Sequence, residues 1–296
     1  MKAATMRRFA AALMLTVALM LAYPTVGTIW ENQQAREAAV QQAQQAETLK
    51  HQQPEKVAQA LLDAHAYNQS LAGVPLADPY SATPSEHDAA AYDNYLHQLA
   101  DTDVMGRIRV PGVGIDLPIH HGTSDEAMHT GAGHLYGTAL PVGDTGARPV
   151  LSTHTGLRSA TLFDRLSDVK VGDVFYVDVY GETLAYEVTS IDVITPDQIE
   201  ALAPVPGKDL VTLMTCTPYA VNSHRLLVTG ERIPYNPATD PTATTTTPGP
   251  VEFILNTITP LPWYMRLMGA ASLGALIAGI VMACPQKKRP RPQGDA

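Results

Sequence analysis

Cysteine is almost missing from this chain: Cys216 and Cys284 are the only two thiols in 296 residues. So few exclude a disulfide-built scaffold, and neither sits in a CxxC pair of the kind that holds zinc or cycles redox equivalents. Large apolar aromatics are scarce too, with four Phe and two Trp against twelve Tyr. Packing that leans on Tyr must find partners for the hydroxyl tips. Charged residues make up 17%, below the roughly one quarter usual in soluble domains, and the shortfall lies mainly in two apolar blocks. Basic charge is in deficit, 20 Lys and Arg against 29 Asp and Glu, for a net charge of −9. That argues against nucleic acid as a partner, because binding phosphate needs a basic footprint. The sequence also has no internal repeat.

The apolar blocks lie at the two ends. Lys2, Arg7 and Arg8 precede a run from Phe9 to Ile29, long enough to cross a hydrocarbon core of about 30 Å at about 1.5 Å per residue. A cleaved signal peptide is the rival reading, but the run is long for one and Leu21-Ala22-Tyr23-Pro24 makes a poor cleavage site. A second run, Trp263 to Cys284, opens with Trp263, Tyr264 and Arg266, which suit a membrane interface. It is followed directly by Lys287, Lys288, Arg289 and Arg291. Basic flanks on the terminal side of both runs place both termini in the cytoplasm and the acidic middle of the chain outside. The implied partner is a lipid bilayer. Cys284, where the second run ends, reads as an inert span residue, with palmitoylation as the alternative.

Between the runs, Glu31 to His51 is rich in Ala and Gln with no Gly or Pro and reads as helix. Pro54 restarts a helix at its first turn, with Val57, Leu61 and Leu62 on one face, to about Leu71. Gly73, Pro75, Pro79 and Pro84 then mark an irregular segment, and Ala89 to Leu99 reads as one more short helix. After Met105 the texture changes to short β-type runs: Arg107-Val110, Ile115-Ile119, Pro149-Thr153, Val174-Tyr180, Leu184-Val193, Leu210-Thr215 and Leu226-Ile233. Tyr180-Gly181-Glu182 looks like a tight hairpin, and the whole is a barrel or a sandwich. Two short helices are expected within it, one over Ser159-Leu166 and one opening at Thr195-Pro196-Asp197-Gln198, where Thr and Gln have capping-box spacing. Residues 1–30 thus form a tip and span, 31–72 a helical stalk and packing helix, and 73–88 an irregular segment. Residues 89–235 form the β-domain, 236–260 a Pro/Thr-rich linker, 261–284 the second span and 285–296 a basic tail.

Cys216 closes the strand-like run Val211-Thr215 and is the only thiol of the outer portion. The residue at a strand's end is fixed by the ladder behind it and open to solvent ahead, a good post for a nucleophile. A thiol near pKa 8.5 needs a neighbouring base or cation to act as one. Arg225 begins the next run, so antiparallel pairing brings it beside Cys216, and His154 at the end of Val150-Thr153 is the best-placed proton-transfer partner. Other readings stay open on the residues alone: a buried small hydrophobe for Cys216, a surface ion pair for Arg225, one histidine among ten for His154.

Thr212-Leu213-Met214-Thr215-Cys216-Thr217-Pro218-Tyr219, followed by Asn222-Ser223-His224-Arg225-Leu226-Leu227-Val228, resembles the TLxTC…R signature of sortases, and more narrowly the class C, pilus-assembling branch. The similarity runs from Tyr67 to Ile233 and includes Gly131-Ala132-Gly133-His134-Leu135, Gly137-Thr138, Leu140-Pro141-Val142-Gly143 and Gly181-Glu182-Thr183-Leu184-Ala185-Tyr186. The resemblance implies a closed eight-stranded β-barrel with short helices, at a Gram-positive type cell surface, that works as a cysteine transpeptidase without a cofactor. Cys216 would attack the Thr–Gly bond of an LPXTG-type sorting signal and form a thioester, His154 would move the proton, and Arg225 would hold substrate and oxyanion. The acceptor in this branch is a lysine amine of a pilin subunit. Asp78-Pro79-Tyr80 matches the branch's lid over the groove, with Asp78 on Arg225 and Tyr80 over the thiol. One departure stands out. The family often reads GHRG at its histidine, whereas Thr153-His154-Thr155-Gly156 puts Thr155 in place of the arginine.

Thr155 and Thr215 are secondary candidates for substrate contact; for Thr215 a plain strand role is the alternative. Asp164 and Arg165 read as a solvated helix face. His120, His121, His129 and His134 match no zinc spacing, so no metal is expected. Two further readings stay open: a housekeeping sortase that anchors proteins to peptidoglycan, and a non-catalytic surface scaffold that only docks sorting signals.

Overall fold

A computed structural model describes residues 3–71, 76–80, 88–157, 159–242, 258, 261 and 263–284. Of the expected segments, the basic tail 285–296, the linker from residue 243 apart from 258, and residues 73–75 and 81–87 of the irregular stretch lie outside the described residues. The chain divides into two compact units, Met1–Thr28 with Leu261–Ala296, and Ile29–Pro260.

The smaller unit pairs the first half of helix α1 (Ala3–Gln52) with helix α5 (Trp263–Ala283). Both are long and apolar enough to cross a membrane, at mean hydropathies of 1.9 and 1.7. They run side by side in opposite directions. Ser272 donates to the Ala18 carbonyl at 2.8 Å, and Arg7 donates to the carbonyls of Met282 and Cys284 at 3.1 and 2.9 Å. A cation on the last carbonyls of a helix satisfies orphan acceptors and opposes the helix dipole. Gly279 lets the helices approach, since a methyl group there would stand 3.2 Å from Leu15. The expected span and the Ala/Gln-rich helix after it form one continuous helix, α1, which runs through Pro24. A single missing N–H is tolerable in a helix of 50 residues.

The larger unit is a closed barrel with the strand order β1-β2-β3-β4-β7-β8-β6-β5. Its strands are β1 (Gly106–Val110), β2 (Ile115–His121), β3 (Ala132–His134), β4 (Val150–Ser152), β5 (Val174–Val179), β6 (Glu182–Ile194), β7 (Leu210–Thr217) and β8 (His224–Ile233). Two neighbouring pairs, β2–β3 and β4–β7, are parallel and the rest antiparallel. The expected hairpin at Tyr180-Gly181 is a two-residue turn with φ of 50° and 77°, the left-handed backbone that matches strand twist. Inward residues such as Ile108, Ile119, Leu151, Val177, Val211, Leu213 and Val228 fill the barrel, with Phe175 stacked on Tyr186 at 5.5 Å. Gly230 makes room for that pair, for a Cβ there would collide with Phe175.

Helix α2 (Pro54–Ser70) buries Val57, Ala64 and Tyr67 against this core, and Asn68 pins its end by pairing with both backbone groups of Leu140 at 2.7 and 3.1 Å. Helix α3 (Ala89–Leu96) is capped by Asp88 and buries Tyr95; α4 (Asp125–Thr130) is capped by Ser124. Two expected helices are absent. Residues 159–166 form turns that pass into a 3₁₀ turn at Leu166–Asp168, with the Thr161 and Phe163 N–H groups bonded outside the segment, to Asn32 Oδ1 and the His154 carbonyl. After Thr195 there is only a 3₁₀ turn, Ile199–Leu202: Gln198 reaches back to the Thr195 N–H at 2.9 Å, half of a capping box. The short strand β3 went unread because Ala132-Gly133-His134 carries no strand-type pattern.

Candidate active site

Cys216 and Arg225 are direct partners across the antiparallel β7–β8 ladder. Opposite residues of such a pair share a face, so the sulfur and the guanidinium point the same way. Both are buried, at 7% and 6% exposure. The loop between them folds back so that Arg225 donates to the carbonyls of Asn222 and His224, each at 3.1 Å. Its remaining fork, Nε and Nη2, holds both carboxylate oxygens of Asp78 at 2.7 Å.

His154 follows β4, which lies parallel to β7. Thr215, the residue before Cys216, ties the two strand ends together: its hydroxyl donates to the Thr153 carbonyl at 2.7 Å. Thr153 in turn donates its own hydroxyl to the Met128 carbonyl at 2.6 Å. The shared anchoring sets the height of His154 relative to the sulfur.

Tyr80 fills the space between these groups. Its hydroxyl donates to the Thr153 carbonyl at 2.6 Å and accepts from Ser152 Oγ at 2.7 Å. Its ring lies 4.8 Å below the Arg225 guanidinium carbon and meets the His154 ring edge-on at 5.8 Å. Together with Leu76 it packs on Leu135, Val150, Leu202, Met214 and Leu227. Pro79 makes the turn between Asp78 and Tyr80. Beside Leu76 a cavity of about 520 Å³ runs between the end of α2, Ala139 and Leu202. The strand end alone suggested a thiol open to solvent, and the lid resemblance suggested Tyr80 over it; the thiol is buried, with Asp78 and Tyr80 beside it.

With this geometry in hand, the comparisons with known proteins are specific. A sortase domain model matches residues 108–233. The crystal structure of sortase C-1 from Actinomyces oris is 49% identical, with a TM-score of 0.59, and the alignment covers 62% of this chain and 100% of that one. The chain belongs to the sortase family. A pilus-related sortase C of Group B Streptococcus is 42% identical at a TM-score of 0.59, over 66% of this chain and 98% of that one. Sortase A of Bacillus anthracis is 29% identical over 130 residues, 44% of this chain and 60% of that relative. The chain spans less than two thirds of the length of the curated relatives it matches.

Electrostatics in this sortase run against a reactive resting thiol. Burial pushes the Cys216 thiol up; Arg225 opposes that shift and Asp78 adds to it. Burial also pulls the His154 imidazole down, helped by His129, whose ring meets it edge-on at 5.1 Å, and opposed by Asp125. His154 Nε2 is sealed and has no hydrogen-bond partner among the described residues. A raised thiol and a lowered imidazole both disfavour the thiolate–imidazolium pair.

The remaining candidates sort cleanly. The Thr155 hydroxyl donates to Asp164 at 3.1 Å. Asp164 corrects the sequence reading: it is half-buried, also accepts the Gly156 N–H at 2.7 Å, and burial raises its carboxyl to about 6. No helix forms there to point it at solvent. Arg165 does sit near the surface, paired with Asp168 at 3.0 Å. Among the described residues no group of three or more His, Cys, Asp or Glu could hold a metal. His134 is fully buried between Tyr95 Oη at 2.9 Å and the Ala139 carbonyl at 2.7 Å, and desolvation pulls it down to about 4. Ser152, Thr153, His129 and Asp164 were missed as site residues. The first two adjoin His154 in sequence and were within reach of a reading that followed strand ends; the last two carry no signal of their own.

Proposed function

We propose that this chain is a membrane-anchored class C sortase, a cysteine transpeptidase that polymerises pilin subunits at the cell surface. The reading rests above all on one observation: Asp78-Pro79-Tyr80 covers Cys216, His154 and Arg225 at once, engaging the Arg225 fork as a substrate's polar groups would. Similarity to a structure described as a pilus-related sortase C supports it.

In the proposed cycle the lid withdraws and an LPXTG-type signal takes its place. The Cys216 thiolate adds to the threonine carbonyl carbon, and the negative oxygen that forms is met by Arg225, a fixed cation in a dry site. The Thr–Gly C–N bond breaks, His154 delivers a proton to the departing glycine amine, and a thioester remains on Cys216. A lysine ε-amine of a pilin subunit then adds to the thioester and yields its proton to His154. The C–S bond breaks and an isopeptide bond is left. Thr215 keeps the strands of Cys216 and His154 in register throughout, and no cofactor takes part.

The two apolar helices serve as anchors. Arg7 on the final carbonyls of α5 puts the start of α1 beside the end of α5, which together with the basic residues in the sequence at both ends supports both termini facing the cytoplasm and the barrel facing outward.

The test uses the full chain in detergent micelles, with Asp78 and Tyr80 replaced by Ala to free the site. An LPXTG-type peptide should leave a thioester adduct on Cys216 by mass spectrometry. A lysine-bearing pilin domain should resolve it faster than an oligoglycine amine. Absence of any adduct, or an adduct that survives Cys216→Ala, defeats the enzyme reading. Preference for oligoglycine defeats the pilus reading and favours the housekeeping one.

A further inference from the structure

A carboxyl group holds the two residues that follow His154. Asp164 Oδ1 accepts both the Gly156 N–H at 2.7 Å and the Thr155 hydroxyl at 3.1 Å. The neighbouring Phe163 N–H donates to the His154 carbonyl at 3.2 Å. Gly156 takes a φ of +79° there and lies against Ala220, in the loop that joins Cys216 to Arg225. One side chain thus fixes the two residues that follow His154, and these abut the loop between the other two groups. Asp164 Oδ2 is buried and has no hydrogen-bond partner among the described residues. A sealed, half-used carboxyl is costly for stability. Its retention is explained if holding this turn is worth more than the cost.

We propose that Asp164 is a positioning residue of the active site, fixing the Thr155-Gly156 turn and through it the orientation of the His154 ring. Thr155 is part of the same device. Where the family's usual arginine carries a charge, the short hydroxyl here turns inward to the carboxyl. The role extends the function proposed above and rests on it for its kinetic readout, though not for its structural one.

Two substitutions separate positioning from plain stability. Asp164→Asn keeps an Oδ1 acceptor for both bonds, while Asp164→Ala removes it; each disturbs the buried Oδ2 position, so each lowers the melting temperature. In the full chain in micelles, with ¹³Cε1-labelled histidine, the His154 signal is assigned by its loss in His154→Gln. It should move or split in Asp164→Ala and keep its parental shift in Asp164→Asn. With an LPXTG-type peptide and the lid freed, kcat should fall about 10- to 100-fold in Asp164→Ala with KM within about twofold, as expected for a misplaced reacting group. The Asn variant should stay within about threefold of the parent. An unmoved His154 signal in the Ala variant, or equal displacement in both, overturns the proposal whether or not peptide is cleaved. A kcat that merely follows the folded fraction overturns it too. A parent that cleaves no peptide defeats the functional reading instead, and the His154 signal still decides this one.

Discussion

Asp78 grips Arg225 through two hydrogen bonds of 2.7 Å, Nε to Oδ1 and Nη2 to Oδ2, with both side chains less than a tenth exposed. A guanidinium whose fork is filled by a carboxylate cannot also hold a peptide. The pair is buried, so removing one partner inside the closed site would strand a charge, whereas swinging Asp78 out returns it to water and frees the Arg225 fork, as the proposed function requires. The contact is therefore suited to opening as a unit.

Freeing the lid should expose the thiol. Charge-assisted hydrogen bonds of this kind are worth about 1.5–3 kcal/mol, and each 1.4 kcal/mol shifts an open–closed equilibrium about tenfold. Replacing Asp78 and Tyr80 together by Ala should raise the rate at which a methanethiosulfonate reagent modifies Cys216 by about 10- to 100-fold in the full chain. Mass spectrometry of the adduct over time gives the rate. Equal rates with two reagents of different size would remove the gating role.

His134 makes a second prediction, about acid. Its folded-state pKa of about 4 lies below the 6.5 of a free imidazole because burial opposes the charged form. A group depressed in this way contributes stability that is complete above pH 6.5 and lost as pH falls through about 4. A shift of this size corresponds to about 3 kcal/mol. Urea unfolding followed by tyrosine circular dichroism should therefore show a larger loss between pH 7 and pH 4 in the parent than in His134→Gln, by about 2–3 kcal/mol. Equal losses would mean that His134 is not a major source of acid sensitivity.

Much of this was legible in the sequence because it is local. Seven of the eight strands announce themselves by β-branched and aromatic runs between Gly and Pro, and the pairing of Cys216 with Arg225 follows from two consecutive strands joined by a short loop. What could not be read depends on contacts between distant segments. Asp164 reads as surface because its neighbours Arg165 and Ser167 are polar, and only the return of the chain past Gly156 makes it an anchor. The cover of Tyr80 over the end of the Cys216 strand joins residues more than a hundred positions apart, so it was reached through the family resemblance of Asp78-Pro79-Tyr80 and not from local pattern. Helix formation at 159–166 was misjudged for the same reason: the Thr161 and Phe163 N–H groups go to Asn32 and to the His154 carbonyl, partners outside the segment.

The opposed shifts of Cys216 and His154 set the shape of a pH profile. Burial raises the thiol and lowers the imidazole, so removing the cover should bring the two toward their ordinary values from opposite sides. In the variant with Asp78 and Tyr80 replaced by Ala, the midpoint of Cys216 alkylation against pH should fall. The acid limb of kcat/KM, if governed by His154, should move up toward 6.5. His129 refines the second half of this prediction. Two imidazolium rings 5.1 Å apart repel, and His129 thereby helps to hold His154 below its ordinary value. Asp125 acts in the opposite sense, and the lid's Tyr80 faces the other side of the ring. Replacing His129 with Gln in the lid-freed background should therefore move the acid limb up further without displacing the thiol midpoint. An acid limb that stays in place would separate His129 from the titration of His154, and a thiol midpoint that ignores the lid would show that desolvation by Tyr80 and Asp78 does not set the reactivity of Cys216.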